Sequence, residues 1–168
     1  LPILDQGRMA FLDIPARARD MGFGAIELAG LPVPAGRSPA SVAREVRAAC
    51  DHAGLPVVNY AVGADFLRGS GGDWRAEANR LLGELEIAAI LGSPRMRHDA
   101  SQGFPDGSAG SGDFDAALPI LAAGCRRVAE AGAALGIRTL VENHGFFCQD
   151  SDRVERLALA LRARGLQT

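Results

Sequence analysis

Four times along this chain a glycine closes a helix-like segment and opens a short apolar run. The runs are "GFGAIELAG" from Gly22, "GLPVVNYAV" from Gly54, "GSPRMRHDA" from Gly92 and "GIRTLVENHG" from Gly136. The glycines stand 32, 38 and 44 residues apart. A strand, a helix and their turns together need about 30 residues or more, so each interval holds one such unit. Glycine suits the junction because the residue after a helix often takes a left-handed backbone conformation. The alternation restricts the chain to an α/β fold, a parallel sheet covered by helices. Two architectures satisfy it: an open doubly wound sheet and a (β/α)8 barrel. The glycine fingerprint of a dinucleotide-binding fold is missing, since "GFGAIE" lacks the third glycine and precedes a strand. The pattern alone leaves the two architectures open.

The intervening segments have helical faces. Ser38 followed by Pro39 reads as an N-cap and a first-turn proline, with Val42, Val46 and Ala49 on one face. Leu81, Leu82, Leu85 and Ala89 make a stripe between Trp74 and Leu91. From Asp115, residues Leu118, Leu121, Cys125, Val128 and Leu135 recur at helical steps. The last helix is expected to start near Asp152, with Glu155 completing a capping box. Residues 100–113, "ASQGFPDGSAGSGD", read as a mobile loop, and 68–73, "RGSGGD", as a shorter one of the same kind.

Composition bounds the function. Hydrophobic residues make up 48% of the 168 and charged residues 23%, which suits a soluble globular domain. The net charge of −2 gives no electrostatic footprint for nucleic acid or an acidic membrane. No window approaches the roughly 18 continuous apolar residues of a membrane span. The opening stretch has no basic region before an apolar one, so a secretory signal is not expected. Cys50, Cys125 and Cys148 are far apart and form no CxxC pair, so reduced thiols in a cytoplasmic setting are expected.

The chemistry sits where the apolar runs finish. Glu27 ends the first, Asn59 and Tyr60 the second, Arg97, His98 and Asp99 the third, and Glu142, Asn143 and His144 the fourth. Parallel strands align their C-terminal ends, and in α/β sheets and barrels that face holds the active site. Glu27 reads equally as a helix cap, Asn59 as a turn residue, and Arg97 with Asp99 as a structural ion pair. His98 alternates to the opposite side of an extended chain, where it reads equally as a core residue. Glu142 is the sharpest signal: a carboxylate ending "RTLV" is expected to leave solvent and to need a cation, a metal or a raised pKa. His144, two residues on, points to the same side if the strand persists. A Glu-x-His pair suits metal binding and proton transfer.

Given "MGFGAIEL", "AGLPVVNYAV", "LGSPRMRHDAS" and "RVAEAGAALGIRTLVENHGFF", residues from about 13 to 164 resemble the sugar phosphate isomerase/epimerase family of the xylose isomerase-like barrel superfamily. The "LVENHG" strand end is the most specific part. The resemblance selects the TIM barrel and assigns the four runs to its second to fifth strands. A whole barrel takes about 250 residues. Residues 1–168 are therefore expected to be a partial barrel domain, part of a longer chain cut at both ends, with little activity by itself. The resemblance implies a divalent metal, manganese foremost, with magnesium, cobalt or zinc as alternatives, and it matches Glu142 to the family's metal-binding, proton-moving glutamate.

The candidate set is Glu142, His144 and His98 for catalysis and Glu142 for the metal. Glu27, Asn59, Arg97, Asp99 and Asn143 are the candidates for a small carbohydrate substrate. The expected activity is isomerisation or epimerisation of a small sugar, sugar phosphate or polyol by proton transfer next to a carbonyl. The alternatives are a metal-dependent hydrolase of the abasic-site endonuclease kind and a non-catalytic barrel piece. Unpaired strand edges in a partial barrel would favour a homo-oligomer. No nucleic-acid or membrane partner is expected.

Overall fold

The computed structural model describes residues 9–107, 112–144 and 147–162. Four strands, β1 (Ile26–Ala29), β2 (Val57–Val62), β3 (Arg95–His98) and β4 (Arg138–Val141), form one sheet in the order β1-β2-β3-β4. Every neighbouring pair is parallel. Five α-helices alternate with them: α1 (Ile14–Asp20), α2 (Pro39–Ala53), α3 (Trp74–Leu91), α4 (Phe114–Ala134) and α5 (Ser151–Arg162).

The strand order settles the architecture that the pattern leaves open. A doubly wound sheet reverses its strand order at a switch point. Here the order never reverses. Each crossover steps to the next strand in the same direction, and a common hand for such crossovers keeps the helices on one face. Consecutive helices pack on one another, α1 on α2, α2 on α3, α3 on α4 and α4 on α5. This is the winding of a (β/α) barrel, present over four strands.

Local chemistry sets the boundaries. The Ser38 Oγ accepts the Ser41 N–H at 3.2 Å ahead of Pro39, as the sequence indicates. Asp73 and Asp113 cap α3 and α4 through their carboxylates. Gly54 and Gly92 end α2 and α3 at φ +61° and +70°, the left-handed conformation that releases the chain into the next strand. The last helix begins one residue earlier than expected. The Asp150 carbonyl accepts the N–H groups of Arg153 and Val154, so Asp152 lies inside the first turn and does not cap it.

The core lies between sheet and helices. Leu81, Leu85, Met96, Leu121 and Val128 are fully buried there. Each such side chain contributes about 1.5–3 kcal/mol relative to exposure. The expected mobile loop is partly a fixed structure: Ala100, Ser101 and Gly103 are buried. Residues 108–111 of that loop, and Gly145 at the end of the fourth run, lie outside the described residues. The segment 68–73 is also held, as a 3-10 turn over Gly69–Gly72. A Cβ on Gly69 would come within 2.6 Å of the Glu77 carboxylate carbon, so a side chain there would push that carboxylate from its place.

Candidate active site

Register sorts the strand-end residues onto two faces. Tyr60 pairs with Met96, and the Tyr60 hydroxyl donates to Glu84 of α3 at 2.8 Å. That parity faces the helices. His98 shares it, two residues beyond Met96, and its side chain is 1% exposed. Ala61, Arg97 and Leu140 form one row of the opposite parity, on the face away from the helices. The Glu142 N–H donates to the His98 carbonyl at 3.2 Å, extending the ladder one residue past β4. That bond brings Glu142 beside Asp99.

There the side chains converge. Arg97 Nη1 stands 3.2 Å from Asp99 Oδ1 and 2.9 Å from Glu142 Oε2. His144 Nδ1 donates to Asp99 Oδ1 at 3.1 Å. Asp99, Glu142 and His144 each offer a ligand atom within 4.8 Å of the others. Two carboxylates and an imidazole are the donor types that hold a divalent ion such as manganese, magnesium, cobalt or zinc, and their spacing lets one ion reach all three. The residues therefore fit the metal that the resemblance implies. Glu142 is less enclosed than its apolar lead-in suggests: its side chain is 41% exposed, and Arg97 supplies its counter-charge.

Asp99 is the rigid member. Its carboxylate is held by Arg97 and His144, and its carbonyl accepts Nδ1–H of His98 at 2.8 Å. Burial lowers the His98 pKa, with the bond to the Asp99 carbonyl opposing it more weakly. The His98 ring meets Phe66 edge-on, and its Nε2 has no partner among the described residues. The ring stands on the other side of the sheet from Asp99, Glu142 and His144, where it lines the pocket between β4 and the last two helices.

Glu27 and Asn59 form their own couple, with Asn59 Nδ2 donating to Glu27 Oε2 at 2.7 Å. They lie one same-face layer nearer the strand starts than Arg97, because Asn59 precedes Ala61 by two residues. Asn143 is exposed beside Glu142.

Sequence reasoning missed the polar scaffold behind Asp99. Asp65 Oδ1 accepts from Leu67 N–H, Arg68 N–H and Ser101 Oγ–H, and Oδ2 accepts from Gln102 N–H. Arg68 donates to the carbonyls of Gly103 and Phe104 at 2.7 Å each. The loop after β2 is thus tied to the loop after β3, just beyond Asp99. The buried Glu77 carboxylate in turn accepts from Asp65 N–H, Ser70 Oγ–H and Arg80. The only hint in the sequence is a string of polar residues in "GADFLRGSGGD" with no apolar period.

Beside the cluster lies a cavity of about 410 Å³ lined by Gly30, Tyr60, Ala61, Arg80, Glu84 and Arg97, among others. Arg97 belongs both to this cavity and to the carboxylate cluster. Behind the sheet, a smaller pocket of about 190 Å³ lies between β4 and α4/α5, and His98 and Cys125 line it.

A family model described as xylose isomerase-like TIM barrel matches residues 15–166. Comparison with curated proteins finds no match. Solved structures share the fold. The 3-keto-D-glucoside 4-epimerase of E. coli superposes at TM-score 0.61 with 20% identity, over 79% of this chain and 52% of that one. D-psicose 3-epimerase of Clostridium cellulolyticum H10 superposes at 0.67 with 15% identity, over 89% and 55%. An AP endonuclease, family 2 protein of Brucella melitensis superposes at 0.60 with 22% identity, over 89% and 60%. The chain spans just over half the length of these proteins. No described helix is long and apolar enough to cross a membrane.

Proposed function

We propose that this chain, which belongs to the xylose isomerase-like TIM barrel family, carries part of the active site of a divalent-metal-dependent sugar isomerase or epimerase. One observation carries the reading. Asp99, Glu142 and His144, from two adjacent parallel strand ends, bring two carboxylates and an imidazole within 4.8 Å of one another. The substrate class is a small sugar, sugar phosphate or polyol, in keeping with two of the structural neighbours being sugar epimerases.

Asp99, Glu142 and His144 would hold the ion, with manganese the first choice. Such an ion would supply Lewis-acid polarisation of a substrate carbonyl, which would make the neighbouring C–H more acidic. Glu142 would take and return that proton, a reading supported by the exposure of its carboxylate at the strand end. With Nδ1–H committed to Asp99, His144 keeps Nε2 for a ligand or a proton. Arg97 and Asn143, and Glu27 with Asn59 one layer deeper, line the approach for substrate hydroxyls. Three groups leave positions of a six-fold shell for water and substrate oxygens.

The test is Mn²⁺ binding by calorimetry in the protein and its Glu142→Gln variant. Removing this carboxylate is expected to weaken Mn²⁺ binding at least about tenfold, as loss of a charged ligand does. Unchanged binding in the variant would remove Glu142 from the metal site. A metal-dependent hydrolase of abasic-site DNA is the second reading, prompted by the Brucella neighbour. Cleavage of an abasic-site duplex, with three zinc ions per protein, would support it over the first.

A further inference from the structure

Arg97 occupies an unusual position for a residue beside a metal site. Its guanidinium sits on Asp99 Oδ1 and Glu142 Oε2, two of the three groups that would hold the ion. A guanidinium and a divalent ion on the same two carboxylates repel one another at a separation of a few ångströms, and the site is only partly open to screening water. Asp99 cannot relieve the conflict by moving. Its side chain is 12% exposed, and its carbonyl is tied to His98. Arg97 can move. Its side chain is 25% exposed and also lines the 410 Å³ cavity. The residues flanking it on that side are small: Ala61 is its direct neighbour in β2, and Ala29, Gly30 and Gly63 line the same cavity. The resident cation there, Arg80, is already bonded to Glu77 and the Gly63 carbonyl, and Glu84 accepts from Tyr60.

We propose that Arg97 is the built-in counter-cation of the Asp99–Glu142 pair, and that a divalent ion displaces its guanidinium into the neighbouring cavity. This proposal rests on the metal-dependent reading above. In this arrangement the two carboxylates are neutralised either by Arg97 or by the ion. Metal binding then does two things: it organises the reacting centre, and it delivers a positive, multiply donating group to the space beside it. The guanidinium, without its carboxylate partners, becomes a ready contact for substrate oxygens.

Competition makes a prediction opposite to that for a ligand or a structural brace. Mn²⁺ affinity is measured by calorimetry in the wild-type protein and in the Arg97→Met and Arg97→Lys variants, with folding of each checked by circular dichroism. Arg97→Met is expected to bind Mn²⁺ about tenfold more tightly than wild type, and Arg97→Lys, which keeps the charge, close to wild type. A second readout follows the displacement itself. Labelling of Arg97 with an arginine-specific dicarbonyl reagent, mapped by mass spectrometry, is expected to rise several-fold when Mn²⁺ is added to the wild type. Equal or weaker Mn²⁺ binding by Arg97→Met, or labelling that Mn²⁺ leaves unchanged, overturns the proposal while the metal-dependent reading stands. Failure of the wild type and both variants to bind Mn²⁺ overturns both.

Discussion

Glu77 gives the sharpest test of how the site is supported. It lies in the first turn of α3, is 3% exposed, and has no contact with the candidate metal group. Its oxygens accept from Arg80 Nη2 at 2.7 Å, Arg80 Nε at 3.2 Å, Ser70 Oγ at 2.7 Å and Asp65 N–H at 3.2 Å. Glu77→Gln keeps the volume but removes the charge and turns an amide NH₂ toward donors. Breaking a buried ion pair costs about 3–5 kcal/mol when both partners are enclosed. The Arg80 side chain is 42% exposed, so water recovers part of its solvation. The expected loss is therefore roughly 2–3 kcal/mol, read from urea unfolding near neutral pH.

The pH dependence of that loss follows from the same contacts. Burial pushes the Glu77 pKa up, but the bonds from Arg80, Ser70 and the Asp65 backbone together outweigh it and leave the pKa lowered. A carboxylate with a lowered folded pKa stabilises above its unfolded value of 4.5, and that stability is lost as pH falls through the folded value. The gap between wild type and variant is accordingly expected to narrow in acid. Hydrogen exchange should also quicken at the amides of Gln102 and Gly103, since Asp65 loses part of its anchorage. A variant within about 0.5 kcal/mol of wild type, the range of an ordinary surface change, would refute the claim that this carboxylate organises the loop.

Two further predictions concern the packed layer. Burial, the main influence, pushes the Cys125 and Cys148 thiols up to about 12 and about 11. Neither should react with a disulfide reagent near pH 8 in the native protein, and both should react once it is unfolded. Gly124→Ala places a Cβ within 2.5 Å of Phe66, a fully buried ring that also supports His98. It is expected to cost about 1–3 kcal/mol by overpacking, seen as a lower melting temperature.

The fold was largely legible because its signals are local and periodic. Gly54, Gly92 and Gly136 each mark a helix end by backbone conformation, and the apolar stripe of Leu81 and Leu85 faces the core as its spacing requires. The direction of winding was not legible, because strand order is a long-range property that no single unit encodes. Of the site, "VENHG" and "RHD" announced their chemistry by type. Their partners did not: whether Arg97 answers Asp99, Glu142 or both depends on the register of β3 against β4, set by pairings such as Arg97 with Leu140. The Asp65 and Glu77 scaffold was hidden for a related reason. A carboxylate in a glycine-rich loop, such as Asp65, or in the first turn of a helix, such as Glu77, looks solvated until the tertiary structure encloses it.

Alternation along β3 and the ladder beside it explain why one short stretch serves two purposes. Met96 and His98 point into the helix layer, where an apolar residue and a neutral imidazole can be enclosed at low cost. Arg97, on the opposite parity, meets the carboxylates. A one-residue slip of β3 would exchange these sets, burying Arg97 without a carboxylate and exposing Met96, so core and site specify the same register. The support is also uneven in a useful way. Asp99 is buried and held through its carbonyl and its carboxylate, with the Ser101 and Gln102 backbone just beyond it fastened to Asp65. Glu142 and His144, at 41% and 62% side-chain exposure, are held through Arg97 and Asp99 respectively. On the metal-dependent reading, Asp99 would be the fixed ligand and Glu142 and His144 the adjustable ones. The same asymmetry makes Arg97 the residue that yields when a stronger cation arrives.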